Sequence, residues 1–217
     1  MTHSVITAGP SRSFPTAHPL LEAAVEGGAI LLLVGADAGA AFAGLADKAA
    51  YQAILIELGT ECLGVHTGES RGEEGGNTLG FARFRLGDAA PSDLVEIVRQ
   101  PGTDAAAIAA ARALFAAHGL KTAVCSDFPG RIVDRLVRPY YNAALDKLDA
   151  GLATAADMDL TLRLGLGYPE GPIALLERTG LAAHHDVTQA LYQALGEPAY
   201  APARRAQVAK VFQQREG

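Results

Sequence analysis

Tryptophan is absent from the 217 residues, cysteine and methionine occur twice each, and aromatic residues make up only 6% of the chain. Two cysteines, Cys62 and Cys125, cannot supply a zinc ligand set or a Cys-x-x-Cys redox motif. They read as reduced core residues at a strand start and a strand end, and no metal site is expected. None of the 24 glycines falls into a G-x-G-x-x-G pattern, so the crowded turn that brings backbone amides onto a pyrophosphate is missing. The nearest local candidate is Gly35-Ala-Asp-Ala-Gly39, and no bound cofactor is expected. Lysine and arginine form no run of five, and 18 of them against 24 acidic residues leave a net charge of -6. That balance gives no footprint for nucleic acid. The longest apolar run, Ala29–Val34, falls far short of the roughly 20 residues of a membrane span, so no membrane partner is expected. No basic region followed by an apolar stretch opens the sequence, and the expected location is the cytoplasm.

What is present is apolar and periodic, at 49% hydrophobic and 19% charged residues. Residues 1–16 mix Ser, Thr, Pro and Gly without a period and read as a loose lead-in. His18-Pro19 opens a short helical segment (Leu20, Leu21, Ala24) closed by Gly27-Gly28. Ala29–Val34 reads as a buried strand, Asp37–Ala50 as an alanine-rich helix interrupted by Gly39 and Gly44, and Gln52–Glu57 and Leu63–His66 as further strands. The glycine-rich, charged segment Gly68–Gly80 reads as a mobile loop. Leu79–Arg85 and Leu94–Arg99 have strand character, the latter with Glu96 at its centre. Thr103–His118 is an alanine-rich helix that Gly119 ends, and Thr122–Cys125 returns as a strand, in the order of a right-handed parallel crossover. At Phe128-Pro129-Gly130 the alternation gives way to a helical period.

From there the pattern is helical throughout. Ile132, Val133, Leu136, Val137, Tyr140, Ala144, Leu145 and Leu148 form one broad stripe ended by Gly151. Thr154 to Asp157 has the spacing of a capping box. Gly165, Gly167 and Pro169 force a turn, Gly171-Pro172 starts a short helix, and Leu181–Leu195 and Ala203–Phe212 add two more, the last expected to complete a subunit interface. Short connections between helices make a bundle. Asp157 and Asp159 are two apart and form no carboxylate dyad. Adjacent His184 and His185 diverge on a helix and read as structural or solvent-facing, and Tyr140-Tyr141 reads as bundle core or dimer contact. His118, in a last helical turn, complements the negative end of its helix.

The stretch DFPGRIVDRLVRPYYNAALDKLDAGLATAADMDLTLRLGLGYPEGP, Asp127–Pro172, together with the strand LVEIVR before it, resembles the helical domain of the 3-hydroxyacyl-CoA dehydrogenases and its approach. The resemblance is specific over roughly residues 94–200 and weak over 20–90. It implies an α/β plus all-α fold: residues 17–126 as a reduced Rossmann-like α/β domain, and 127–217 as a helical domain that forms the dimer interface and one wall of the acyl cleft. The front half is similar to the reduced segment that precedes the second helical domain in long, duplicated bacterial 3-hydroxybutyryl-CoA dehydrogenases, of which this chain would be a free-standing second half.

Carried over residue by residue, the resemblance implies that Glu96 stands where the family keeps a glutamate that orients its catalytic histidine. Asp134, followed by Arg135, stands where an asparagine helps hold the acyl-CoA carbonyl; an ionised aspartate accepts hydrogen bonds but cannot donate one. The family's histidine block corresponds to Gly80-Phe81-Ala82-Arg83-Phe84-Arg85, and two ways of counting place Phe84 or Ala82 at the histidine, neither of which can act as a base. A serine that contacts substrate in the family is replaced at its match by Gly68. The expected function is therefore non-catalytic acyl-CoA binding or dimerisation, beside a complete dehydrogenase partner. The alternatives are an active NAD-dependent dehydrogenase with a relocated base, His66 facing Glu96 from the carboxyl end of a strand, and a purely structural homodimer.

Overall fold

In the computed structural model, which describes residues 2–216, the chain folds as two units: Met1–Arg85 with Pro91–Ile132, and Leu86–Ala90 with Val133–Gly217. The first unit is α/β. Its elements are β1 (His3–Thr7), α1 (Pro19–Glu22), β2 (Ile30–Val34), α2 (Ala38–Ala43), a 3₁₀ turn at Lys48–Ala50, β3 (Ala53–Glu57), α3 (Gly64–Thr67), β4 (Gly75–Gly76), β5 (Thr78–Arg83), β6 (Leu94–Arg99), β7 (Gly102–Thr103), α4 (Ala105–Ala117) and β8 (Lys121–Ser126). Among the described residues six strands make one sheet in the order β1-β2-β3-β5-β6-β8, all pairs parallel except β5 with β6.

Every residue of β2 and β3 is buried, as continuous apolar runs require of strands covered on both faces. Ile30, Leu32, Leu55, Phe81 and Ile97 point into one core with Ala107, Ala111 and Phe115 of α4. Leu31, Leu33, Ile54, Ile56 and Val98 point into the other, with Phe42 of α2 and Leu63. Alanines on α4 let that helix approach the sheet closely.

Four expectations change here. Residues 1–16 are not loose throughout, because His3–Thr7 pairs in parallel with Ile30–Val34 as the edge strand β1. Leu63–His66 is not a strand. Asp127 receives the Leu63 and Gly64 amides on its two carboxylate oxygens, which starts α3, and Cys62 sits in the turn before it. The loop 68–80 is pinned where Gly75–Gly76 pairs with Gly102–Thr103. The units divide at Ile132/Val133 and not at Asp127, because residues 127–132 are bonded into the α/β unit: Gly130 N–H to Thr60 O, Arg131 to Gly59 O and Ile132 N–H to Glu96. Both cysteines are free and half-buried, and burial pushes the Cys125 thiol up to about 11.

The second unit holds α5 (Val133–Asp149), α6 (Ala155–Leu166), α7 (Pro172–Thr179), α8 (Leu181–Leu195), a 3₁₀ turn at Pro198–Tyr200, and α9 (Arg204–Glu216). Thr154 Oγ1 accepts the Asp157 amide and caps α6. Asp159 reaches from α6 to accept the Ile173 and Ala174 amides and so caps α7; any Cβ on Gly171 would strike it. The buried face of α5 carries Asp134, Arg138, Tyr141, Asn142 and Leu145, whereas Leu136 is 70% exposed. The apolar stripe of the sequence is therefore broader than the face that packs. No described helix is long and apolar enough to cross a membrane.

Candidate functional site

Glu96 is buried in the middle of β6, paired with Ala82 on β5 and Ala123 on β8. Of the two residues matched with the family's histidine, Ala82 is thus the one directly across from the glutamate, and it carries no proton-transferring group. The carboxylate instead accepts the Ile132 amide at 2.8 Å and lies 3.8 Å from the Arg131 guanidinium. Arg131 is itself buried in the left-handed backbone region, at φ 52°. Its Nη2 donates to Gly59 O, while Nε and Nη1 have no hydrogen-bond partner among the described residues.

His66 does not join Glu96 in a dyad. As part of α3 it turns its Nε2 to Glu61 Oε1 at 3.3 Å, and Glu61 also accepts the Gly59 amide. Burial opposes the charge on Glu61, yet these bonds hold its carboxyl below the usual range. The relocated base thus lacks the partner it requires. At the serine's match, Gly68 adopts φ 79° and ψ -178°, a region essentially confined to glycine, so the backbone itself refuses a serine there.

The two glycines after β2, Gly35 and Gly39, stand nearest to the place where a dinucleotide fold brings its backbone onto a pyrophosphate. Any Cβ on Gly35 would run into the Ala8 and Gly9 carbonyls, and one on Gly39 into the His66 ring. The space that these glycines leave is filled by the chain itself, and the Gly35 amide is already bonded to Glu57. The Gly35 amide is therefore engaged within the chain.

In the helical unit, Asp134 is buried and receives Arg138 Nε at 2.7 Å. Arg138 Nη1 donates to His184 Nδ1 at 3.0 Å, and His184 Nε2 donates to Asn142 Oδ1 at 2.9 Å. Asn142 in turn donates to the Ala199 and Ala201 carbonyls. These partners fix a neutral His184 protonated on Nε2. Burial first, then the Arg138 charge, hold its pKa down at about 3. Arg135 lies 4.0 Å from Glu197 and its carbonyl accepts the Tyr200 hydroxyl. Arg138 and Asn142 escaped the sequence reading although Asp134, Arg138 and Asn142 recur every fourth residue, the spacing that aligns side chains on one helix face.

Beside this network a cavity of about 290 Å³ is lined by Val137, Tyr140, Tyr141, Tyr168, Pro169, Glu170, Pro172 and Leu175. Tyr168 meets Tyr140 edge-on at 6.0 Å, and Glu170 is tied by two bonds to Arg178. The Tyr140 hydroxyl is buried without a hydrogen-bond partner among the described residues, and burial raises its pKa to about 12.

The model of the 3-hydroxyacyl-CoA dehydrogenase C-terminal domain matches residues 130–214. A 3-hydroxybutyryl-CoA dehydrogenase of Bradyrhizobium diazoefficiens is 34% identical over 110 residues, 51% of this chain and 38% of the relative. One of Mycobacterium tuberculosis is 37% identical over 111 residues, 50% of this chain and 38% of the relative. The matched part thus spans about two-fifths of the length of these relatives. The crystal structure of (S)-3-hydroxybutyryl-CoA dehydrogenase PaaH1 from Ralstonia eutropha superposes with a TM-score of 0.69 at 22% identity, over 86% of this chain and 66% of that one, a likeness of fold. The helical unit thus carries the 3-hydroxyacyl-CoA dehydrogenase C-terminal domain, and the fold is shared over most of the chain.

Proposed function

We propose that this chain is a non-catalytic member of the family that binds acyl-CoA through its helical unit. One observation carries the reading: both acidic residues at the family's working positions are held by arginines of this chain, Glu96 beside Arg131 and Asp134 against Arg138. A carboxylate so engaged neither orients a base nor offers a donor to a developing oxyanion, and Ala82 supplies no base across from Glu96. The cavity at Tyr140 and Tyr168 supports the retained role, since an apolar, aromatic-lined hollow suits the hydrocarbon part of an acyl group.

Two titrations test this. Acetoacetyl-CoA is expected to bind with saturable heat, whereas NADH is expected to show no binding up to about 1 mM, equivalent to about -4 kcal/mol. With 3-hydroxybutyryl-CoA and NAD both present, nicotinamide absorbance should stay flat in wild type and in Glu96→Gln alike. A wild-type rate that falls about 100-fold in Glu96→Gln overturns the non-catalytic reading; absence of acetoacetyl-CoA binding removes its acyl-CoA half.

Homodimerisation through the helical unit is the companion proposal. Leu160 and Leu164 on α6 are 49% and 78% exposed, and no residue of α6 is fully buried, so its outward face lacks a covering surface within the chain.

A further inference from the structure

At the carboxyl end of the parallel strands β1, β2 and β3, where α/β folds bind their ligands, the chain has built an anion cradle. Ser11 Oγ, the Ser13 amide and the Gly35 amide converge on one point from the segments that follow β1 and β2. The group at that point is the carboxylate of Glu57, the last residue of β3. Its Oε1 accepts Ser13 N at 2.7 Å and its Oε2 accepts Gly35 N at 2.7 Å, while Ser11 Oγ lies 2.9 and 2.8 Å from the two oxygens. Ser11 Oγ also accepts the Phe14 amide at 2.8 Å, which aims its own proton at the carboxylate. Glu57 is only 6% exposed.

We propose that this is an anion-binding site whose resident anion is the protein's own Glu57, a built-in substitute that closes the sheet's ligand end to phosphate-bearing molecules. Two backbone amides and a hydroxyl pointing at one buried carboxylate are the donor set that a small oxyanion requires, and charge-assisted bonds of this kind are the strong ones. Once the carboxylate occupies the cradle, an incoming phosphate meets both a filled volume and a like charge. The exclusion is thus active, and it stands apart from the missing glycine pattern and from the acyl-CoA reading.

Removing the carboxylate should unmask the site. A cavity of about 170 Å³ lined by Pro10, Arg12, Gly35, Ala36, Glu57 and Gly59, among others, lies beside it and gives a small anion a route in. Glu61 also lines that cavity, and its negative charge opposes the newcomer, which sets the expectation at millimolar affinity.

The experiment is a titration of the full chain with inorganic phosphate, and with sodium formate, each against sodium chloride at matched ionic strength, followed by calorimetry and by melting temperature. Glu57→Ala is expected to melt below wild type, to recover part of the difference in formate but not in chloride, and to bind phosphate at least about tenfold more tightly than wild type. A folded Glu57→Ala that gains neither effect overturns the proposal, as does phosphate binding of equal strength in wild type. Should Glu57→Ala fail to fold, Glu57→Gln decides. Its neutral amide weakens the bonds to Ser13 and Gly35, so both backbone amide proton resonances should move upfield. Resonances that stay in place overturn the proposal.

Discussion

Arg138 holds the largest fully buried side chain of the molecule, and a guanidinium there is tolerable only because Asp134 neutralises it and His184 accepts from it without a charge of its own. Protonating His184 would place two cations 3.0 Å apart. The histidine accordingly has a pKa of about 3 in the folded chain against the ordinary 6.5. Above about pH 6.5 neither folded nor unfolded His184 carries a proton and the network contributes its full stability; as the pH falls the unfolded chain takes up a proton that the folded chain refuses, and stability drains until the pH reaches the folded value. At pH 5 the loss from this one group is expected to be about 2 kcal/mol. Urea midpoints at pH 7.5 and pH 5 would measure it against His184→Gln, which keeps an acceptor for Arg138 and a donor for Asn142 but does not titrate. A pH-dependence identical in the two proteins would show that His184 is not the group responsible.

Helix α5 shows how a sequence period can be right about an element and too broad about its packed face. Leu145 is 1% exposed and Leu136 70% exposed, so Leu145→Ala is expected to destabilise by about 2–5 kcal/mol, whereas Leu136→Ala should stay within about 0.5 kcal/mol. Equal losses in thermal melts would put Leu136 in a core. The buried arc of α5 is hard to read because its central residues are Asp134, Arg138 and Asn142, polar groups that bury within a network completed by His184 and two distant backbone carbonyls. By contrast, β2 and β3 were plain in the sequence, since an apolar run bounded by glycine needs no remote partner to be understood. β1 is an edge strand of mixed character, and nothing local in His3–Thr7 announces its ladder with Ile30–Val34. α3 was missed for a related reason: its start is fixed by Asp127, more than sixty residues along the chain. Glu96 could be picked out as a carboxylate inside an apolar strand, but its Arg131 neighbour could not, because Arg131 acts from a turn whose path depends on the fold. Glu57 looked like the ordinary polar end of a strand, and its donors come from two separate segments.

For the molecule as a whole, the balance of charge and apolar surface bears on assembly. A net charge of -6 spread over 217 residues is modest enough for two copies to approach at physiological salt, where the Debye length is about 8 Å. Exposed apolar side chains of the helical unit include Leu160, Leu164 and Leu166 on α6 and Val208, Val211 and Phe212 on α9, the latter three 43–57% exposed. Covering such a surface with a second copy returns apolar area from water at about 25 cal/mol per Å², and a stable homodimer conceals about 800 Å² or more on each partner. Leu160 and Leu164 lie four apart, on one face of α6, so placing a charge at both should hurt association far more than folding, because neither is part of the packed interior. Sedimentation is therefore expected to give a dimer for wild type and a monomer for Leu160→Glu/Leu164→Glu at the same concentration, with melting of the α/β unit unchanged. A wild type that sediments as a monomer at tens of micromolar removes the homodimer proposal, and a doubly substituted chain that remains dimeric moves the interface to another face.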